Sequence, residues 1–276
     1  MKPIFKKMCA DKAGFLGFIL VACVAGFAAI GPLLVEQSPT QVNPMNRLLS
    51  PSQDHLLGTD QFGRDLMSRV VHGAKISLYV GILGVGISLL LGGLVGAIAG
   101  YYSGWVDDIL MRAIDVLMAF PYIVLAIGFM AMFGPGLENL VIIIGITRAP
   151  GFARLLRASV LSLREREFIE AARATGNSDF RVLYRHILPN CIAPLMVLAT
   201  LNMATAINVE AALSFLGLGI RPPDASWGVL IADGRSYLLD APWIAISPGV
   251  AISLTVLGFN LLGDFMRDWI DVKVRD

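Results

Sequence analysis

Long runs without a charged side chain constrain this chain more than any other feature. The first run, residues 13–35, contains 23 residues and no charge, and about 20 apolar residues are enough for a helix to cross the roughly 30 Å hydrocarbon core of a bilayer. Hydrophobic residues make up 56% of the chain and charged residues 16%, whereas soluble domains are about 45–50% apolar and about 25% charged. The sequence therefore predicts an all-α integral membrane protein.

The N-terminal run has to be distinguished from a signal peptide, because four lysines precede it: Lys2, Lys6, Lys7 and Lys12. It is longer than the apolar region of a typical signal peptide, and no clear small-residue cleavage motif follows it. We interpret it as an uncleaved first transmembrane helix.

Five further spans bring the expected total to six. They are placed at about residues 76–101, 113–133, 137–153, 190–209 and 241–263. The span that begins at residue 76 is rich in glycine, which permits close contact between helices. The span that begins at residue 137 is short and is interrupted by Arg148 and Pro150. Six spans place both termini on the same side of the membrane.

The distribution of basic residues predicts which side that is. If the N-terminus is cytoplasmic, that side holds sixteen of the Lys and Arg residues and the other side holds six. Cytoplasmic loops carry an excess of Lys and Arg, so we predict that both termini are cytoplasmic. Residues 170–189 then lie in the cytoplasm, between the fourth and fifth spans.

Two stretches are expected on the opposite side. Residues 36–75 contain an amphipathic segment, with Leu66, Val70 and Val71 on one stripe, that we expect to lie at the membrane interface. Residues 210–240 are rich in Gly and Pro and partly apolar, which favours a re-entrant or cap-like loop buried in protein rather than in lipid.

The cytoplasmic segment EAARATGNSDFRVLYRHILP, residues 170–189, is polar and basic in a chain built for lipid. Its first part predicts a short amphipathic helix, and Gly176 suits a left-handed C-cap, where a side chain would cost about 1 kcal/mol. Ser178 or Asp179 could cap a second short helix that ends near Pro189. Small side chains at Ala171 and Ala172 would let the first helix seat deeply in a groove of another protein.

The sequence indicates neither a metal site nor a nucleic-acid partner. Cys9, Cys23 and Cys191 are far apart, and the three histidines fall in three different loops, so no metal-ligand spacing occurs. A net charge of +1 supplies no basic field for nucleic acid. No phosphate-binding loop motif is present, so the chain is not expected to bind ATP through one. We therefore expect no cofactor on this chain.

The cytoplasmic segment resembles that of the inner-membrane permeases of ATP-binding-cassette importers. Their pattern is E-A-A, three residues, G, nine residues and I-x-L-P, and this chain has Glu170-Ala171-Ala172, Gly176 and His186-Ile187-Leu188-Pro189 at that spacing. The histidine replaces the usual isoleucine and is similar to a variant of the peptide/nickel branch. Residues 55–78, 210–228 and 248–271 also resemble signatures of that branch, and the four stretches occur in the family's order.

The resemblance implies the type I importer permease fold with six transmembrane helices. Residues 1–75 would form the N-terminal helix and a periplasmic loop, residues 76–265 a permease core with a cytoplasmic coupling loop at about 155–189, and residues 266–276 a cytoplasmic tail. The residues implied to contact the ATPase or to fix the join to the fifth span are Glu170, Ala171, Ala172, Gly176, Leu188 and Pro189.

The resemblance also implies partners and a location. In the bacterial inner membrane the chain would pair with a sister permease, two cytoplasmic ATPases that bind ATP and Mg²⁺, and a periplasmic or lipid-anchored solute-binding protein. It would be a transport subunit and not an enzyme. Import of di- or oligopeptides is the first expectation, and import of a nickel chelate, glutathione or another peptide-like solute is the alternative.

Four residues are candidates for the pathway or for helix packing, and each has two interpretations. Asp115 could line the pathway or pair with Arg112, three residues earlier. Pro121 is expected to kink its span, and the kink could line the pathway. Glu210 could face the pathway or reach the outer interface. Asn260 could hydrogen-bond a neighbouring helix.

Arg148 departs from the branch, which usually has tryptophan at this position. At the cytoplasmic end of its span an arginine is expected to extend toward the interface. Two other functions remain as distant alternatives. An intramembrane enzyme would need a catalytic pair inside the membrane, and none of the usual motifs is present. A channel or secondary transporter would not need the cytoplasmic segment.

Overall fold

The computed structural model of the protein describes residues 11–275, and side chains only as far as residue 270. Lys2, Lys6, Lys7 and Cys9 lie outside the described residues. The α-helices are, in chain order, α1 Lys12–Leu34, α2 Leu66–Tyr102, α3 Gly104–Met118, α4 Tyr122–Phe133, α5 Leu137–Arg164, α6 Glu167–Ala174, α7 Asp179–Phe215, α8 Trp227–Gly234 and α9 Trp243–Arg275. Within residues 11–275 there is no strand, in agreement with the all-α prediction.

Five of the described helices are long and apolar enough to cross a membrane: α1, α2, α5, α7 and α9. The helices α3 and α4 meet at an angle of 87°, and as one broken span they bring the total to the predicted six. The break lies at Pro121, immediately before α4. Proline removes a backbone donor, so the predicted kink is confirmed and is a sharp bend.

Contacts at the two ends of the bundle indicate that α3 and α4 together cross once. Trp243 of α9 donates to the carbonyl oxygen of Thr59 at 3.2 Å, so the loops before α2 and before α9 share one end. At the other end Arg164 of α5 donates to the carbonyl oxygen of Tyr101 at 3.2 Å. Since α2 and α5 both end there, the chain between them must cross twice, once through α5 and once through α3 and α4.

The pair α2 and α5 forms the centre of the bundle, and glycines bring their backbones together. A side chain on Gly92 or Gly96 would overlap the carbonyl oxygen of Ala149 or of Ala153. Four residues further along α2, a side chain on Gly100 would lie 2.9 Å from the carbonyl oxygen of Arg157. Residues four apart share one helix face, so this stripe confirms that the glycines of the second span permit close helix contact.

The amphipathic segment predicted to lie at the membrane interface is instead the buried first part of α2. This helix begins at Leu66 rather than near residue 76. Leu66 and Val70 are buried in a cluster with Trp227 and Leu230 of α8, and Trp227 Nε1 donates to the carbonyl oxygen of Val70 at 3.0 Å. The interface prediction was wrong because the stripe packs on α8. The burial of α8 agrees with the prediction that residues 210–240 form a loop covered by protein rather than by lipid.

A buried charge network fastens the loop before α2 to this cap. Arg64 Nε lies 2.6 Å from Asp60 Oδ2, and Arg69 also pairs with Asp60 and lies 3.4 Å from Asp233 in the last turn of α8. Burial raises the pKa of Asp60, but backbone N–H donors from Arg64 and Phe62 and the charges of Arg69 and Arg64 outweigh it. The pKa of Asp60 is therefore below its ordinary value of 3.8.

Replacement of the central glycine tests the contact between α2 and α5. We expect Gly92→Ala to lower stability by about 1–3 kcal/mol, because its methyl group overlaps backbone that cannot move independently. Thermal unfolding of the purified protein in detergent measures this. Gly86→Ala on the same helix is the matched control, since an added side chain there meets nothing within 4 Å, and we expect a change within about 0.5 kcal/mol. Equal melting temperatures for Gly92→Ala and Gly86→Ala would contradict the close contact between α2 and α5.

Replacement of Asp60 tests the charge network. We expect Asp60→Asn to destabilise the protein by about 3 kcal/mol or more, because it leaves Arg69 buried beside a neutral group. Since the pKa of Asp60 is lowered in the folded state, its stabilising effect is present above pH 3.8 and is lost as the pH falls below that value. Melting temperatures measured against pH should therefore converge with wild type in acid. Asp54→Asn, at an exposed position in the same loop, should melt like wild type throughout.

Candidate functional site

The predicted coupling segment, residues 170–189, forms a projecting elbow at the end of the bundle where α2 and α5 end. Its first helix is α6, eight residues long. Ile169 and Ala172 are buried on the inner side of α6, whereas Glu170 and Ala171 are exposed. The expectation that Ala172 helps α6 to seat in another protein is therefore corrected: Ala171 is the small residue on the outer side, and Ala172 faces this chain.

The turn after α6 is held by its backbone and by polar side chains. Gly176 has a φ of +81°, which confirms the predicted left-handed C-cap. The Thr175 hydroxyl and the Asn177 amide each donate to the carbonyl oxygen of Ala172 at 2.8 Å. A side chain at Gly176 would meet nothing within 4 Å, so the requirement for glycine is conformational.

The predicted second short helix is the beginning of α7 and does not end near Pro189. Helix α7 starts at Asp179, passes through a wide π-helical stretch at Val182–Ile187 and continues to Phe215. The backbone N–H of Leu188 donates to the carbonyl oxygen of Leu183, five residues earlier. This wider turn gives the ring of Pro189 room inside a continuous helix. Leu188 and Pro189 therefore join the coupling segment to the membrane rigidly, without a loop.

Polar contacts attach the coupling segment to the C-terminal end of α2. The Tyr101 hydroxyl donates to Asp179 Oδ1 at 2.6 Å, and the guanidinium of Arg173 lies 5.4 Å from the centre of the Tyr101 ring. Arg164 also contacts Ser103, at the junction between α2 and α3. A displacement of the elbow would consequently be transmitted directly to α2 and α5.

Two aromatic side chains enlarge the outer face of the elbow beyond what the sequence analysis identified. Phe180 is 75% exposed and Tyr184 67% exposed, and their rings stack with centroids 5.9 Å apart. Phe168 of α6 is also exposed. The spacing of four residues between Phe180 and Tyr184 is the sequence signal that could have revealed the pair.

The candidate pathway residue Asp115 pairs with a different arginine from the one predicted. Its carboxylate lies 2.6 Å from Arg154 Nη2 of α5, so the expected pairing with Arg112 on the same helix is wrong. Both partners are about half exposed, and such a pair contributes at most about 1 kcal/mol. It joins α3 to α5, as does the pair formed by Asp107 and Arg157.

Glu210 and Asn260 occupy opposite environments. Glu210 is fully buried and accepts hydrogen bonds from Ser77 at 3.0 Å and Ser214 at 2.8 Å. Neither interpretation of Glu210 holds, because it reaches neither the outer interface nor an open pathway and instead connects α7 to α2. Asn260 is exposed on α9, away from a buried helix contact.

A cleft of about 430 Å³ opens beside the α3–α4 break. The residues that line it are Leu117, Met118, Phe120, Pro121, Tyr122, Thr147, Arg148, Pro150, Gly151, Leu198 and Asn202. Three separate helical regions therefore meet at this cleft: the break itself, the middle of α5 and the middle of α7. Pro121 is on its wall, which places the predicted kink at a concave surface inside the membrane-spanning part of the chain.

Arg148 does not extend toward the cytoplasmic interface, as its position in the sequence suggested. Its guanidinium stacks over the Tyr122 ring, 3.8 Å from the ring centre. A charge in the middle of a transmembrane helix costs about 2.5–3.5 kcal/mol on insertion scales, and a desolvated cation–π contact contributes about 2 kcal/mol. The prediction failed because α5 continues to Arg164, which places Arg148 far from the interface.

The described residues provide no evident metal site. Within residues 11–270, no group of three or more His, Cys, Asp and Glu side chains could hold an ion. His55 instead hydrogen-bonds Asp65 at 3.0 Å in the loop before α2.

Comparison with known proteins relates the chain to transport systems. Residues 92–276 match the family described as binding-protein-dependent transport system inner membrane component. The chain is 46% identical over 274 residues to the dipeptide transport system permease protein DppC of Alkalihalophilus pseudofirmus, covering 99% of this chain and 90% of that protein. It is 38% identical to the di/tripeptide permease DppC of Pseudomonas aeruginosa, covering 100% and 93%. Against the glutathione permease GsiD of Pectobacterium atrosepticum the identity is 46%, covering 82% and 75%.

Solved structures share the fold at low sequence identity. A chain of the MetNI methionine ABC transporter in an inward-facing conformation superposes with a TM-score of 0.59 at 18% identity, covering 74% of this chain and 97% of that chain. A chain of an amino acid ABC transporter crystallised with histidines gives a TM-score of 0.54 at 19% identity, covering 72% and 93%. The fold of this chain is therefore that of importer permeases.

Proposed function

This chain belongs to the family of binding-protein-dependent transport system inner membrane components, and we propose that it forms, with a sister permease, the pathway by which di- or oligopeptides enter the cell. It is a multi-pass permease subunit of an ABC importer and not an enzyme. ATP is hydrolysed by separate subunits. The rest of the proposal concerns the solute, the partners and the residues that connect them.

The elbow formed by the coupling segment is the observation that carries the proposal. It combines an exposed acidic and small-residue face at Glu170 and Ala171 with the exposed aromatic pair Phe180 and Tyr184. Exposed aromatic side chains beside small residues are typical of protein contact surfaces. We infer that a cytoplasmic ATPase binds this face, and that closure of two such ATPases moves the elbow as a rigid body.

The location of the elbow also supports the predicted orientation. The excess of basic residues lies on the side of the membrane that holds the elbow and the ends of α2 and α5. We propose that this side is the cytoplasm and that both termini lie there. The loop before α2 and the cap that contains α8 would then face the periplasm or cell exterior, where a solute-binding protein, soluble or lipid-anchored, delivers its cargo.

Peptides are the solute class that the named relatives favour. The DppC proteins of two organisms are named for dipeptide or di/tripeptide transport and match nearly the whole chain. Glutathione is the second candidate, because a GsiD protein matches at equal identity over a shorter part. Glutathione is itself a modified tripeptide, so both candidates require a pathway that accepts a small, flexible and charged molecule.

Disruption of the elbow tests the proposal. The importer should be reconstituted with its sister permease, ATPases and binding protein, and uptake of labelled dipeptide and ATP hydrolysis measured together. We expect Gly176→Pro to reduce both at least about tenfold, since proline cannot adopt the φ of +81° on which the turn depends. Glu170→Lys should do the same without altering the fold, because Glu170 is exposed.

The matched control reverses the charge of an exposed glutamate at the other end of the bundle. Glu138 in the first turn of α5 is exposed, and Glu138→Lys should leave hydrolysis and uptake within about twofold of wild type. If both elbow variants import dipeptide at the wild-type rate, the coupling role is wrong. Import of glutathione in preference to dipeptides would replace the proposed solute with the second candidate.

A further inference from the structure

We propose that Arg148 binds the carboxylate of the solute as it passes through the cleft beside the α3–α4 break. This inference rests on the proposed function, because it assigns a recognition residue to the pathway for peptides. It concerns a residue that neither the family description nor the names of the relatives assign to any role.

The first argument is the state of the guanidinium. Arg148 stacks on Tyr122, and its Nε and Nη2 atoms are buried with no hydrogen-bond partner among the described residues. Buried polar groups in folded proteins are almost always hydrogen-bonded, and an unpaired buried charge is unfavourable. Two adjacent donors held without an acceptor indicate that something outside this chain supplies one.

The second argument is the shape of the donor pair. Nε and Nη2 form one edge of the guanidinium, and two parallel N–H groups on such an edge match the two oxygens of a carboxylate. Every linear peptide with a free C-terminus carries such a group. The Tyr122 ring covers one face of the guanidinium, so the plane of the fork is fixed beside the cleft that Arg148 lines.

The third argument is the location and lining of the cleft. Arg148 lies about 16 Å along α5 from Leu137 and about 24 Å from Arg164, at 1.5 Å per residue. An anionic lipid headgroup is therefore too shallow to be its partner. The volume of about 430 Å³ falls within the range of small-molecule sites, roughly 300–1,000 Å³. Among the described residues that line the cleft, Arg148 is the one charged side chain.

The remaining lining suits side chains of variable size. Met118 and Phe120 at the break are exposed in this chain, and flexible methionine and aromatic surfaces adapt to different ligands. Asn202 of α7 lies on the opposite wall, where its amide nitrogen donates to the carbonyl oxygen of Leu198 at 2.9 Å. The cleft thus offers one fixed anion-binding edge within an otherwise accommodating wall.

Chemical protection of Arg148 tests the inference directly. The assembled importer in lipid nanodiscs should be treated with phenylglyoxal, which modifies accessible guanidinium groups, and the modified arginines quantified by mass spectrometry. We expect alanyl-alanine to slow modification of Arg148 several-fold, whereas its C-terminal amide has no effect. Arg112, which is exposed on α3, serves as the internal control and should react equally in both cases.

Uptake measurements give the functional counterpart. With the binding protein saturated by each solute, Arg148→Gln should lower uptake of alanyl-alanine about tenfold or more, the typical effect of losing one charge-assisted fork. Arg148→Lys keeps the charge but not the fork and should lower uptake by less. Uptake of the amide should fall much less than uptake of the acid, whereas a merely structural role of Arg148 would lower both equally.

The two tests separate this inference from the proposed function. If the importer moves no peptide at all, the proposed solute class is wrong, and protection of Arg148 by the free carboxylate still decides the present inference. It is overturned if Arg148 does not react without solute, because the guanidinium would then be inaccessible from the cleft. Equal protection by acid and amide, or an equal loss of their uptake in Arg148→Gln, would overturn it too.

Discussion

The close contact between α2 and α5 is the constraint on which the rest of this structure depends. Gly92, Gly96 and Gly100 let the two backbones approach to a distance that no side chain would permit. In a bilayer the association of helices gains little from the hydrophobic effect and depends on van der Waals packing and interhelical hydrogen bonds. The glycine stripe makes such packing possible along most of two membrane-spanning helices, and the remaining spans are arranged around it.

Both proposed functional regions, the elbow and the cleft, depend on this pair. The elbow is attached to it through Asp179 and Tyr101, at the end where α2 and α5 meet the coupling segment. The cleft lies on another side of α5, where Arg148 faces the α3–α4 break and α7. A displacement at the elbow therefore reaches the wall of the cleft through continuous helix, without a flexible joint between them. This geometry is what an ATP-driven change of access requires.

The sequence predicted most of the fold because its strongest signals are local. Runs of apolar residues located the spans, and Gly176 was correctly assigned to a left-handed turn, since few other residues adopt that conformation without strain. Pro121 located the break, but not its angle of 87°, because the angle depends on how α3 and α4 pack on α5. The start of α2 was placed too late, since the stripe around Val70 is equally compatible with an interfacial helix and with a buried one.

Two of the predictions that failed concern partners distant in sequence. Asp115 has a suitable arginine three residues away, yet it pairs with Arg154, which only the tertiary structure brings close. Glu210 is buried because Ser77, more than a hundred residues earlier, supplies a donor. Pro189 normally ends a helix, but the wide turns at Val182–Ile187 accommodate it. Hydropathy and spacing contain no information on contacts between residues that are distant in sequence. Those contacts decide which polar residues in a membrane protein are structural.

The most direct test of this account is a distance measured within the chain in two states of the importer. Spin labels at Ser178 in the elbow and at Tyr102 at the end of α2, both exposed, would be introduced after replacement of the native cysteines. Pulsed electron resonance would then compare the nucleotide-free complex with the ATP-bound one. We predict that the distance stays constant within about 2 Å, because elbow and helix pair move as one body. A change of more than about 5 Å, the length of one helical turn, would show that the elbow moves independently and contradict the account.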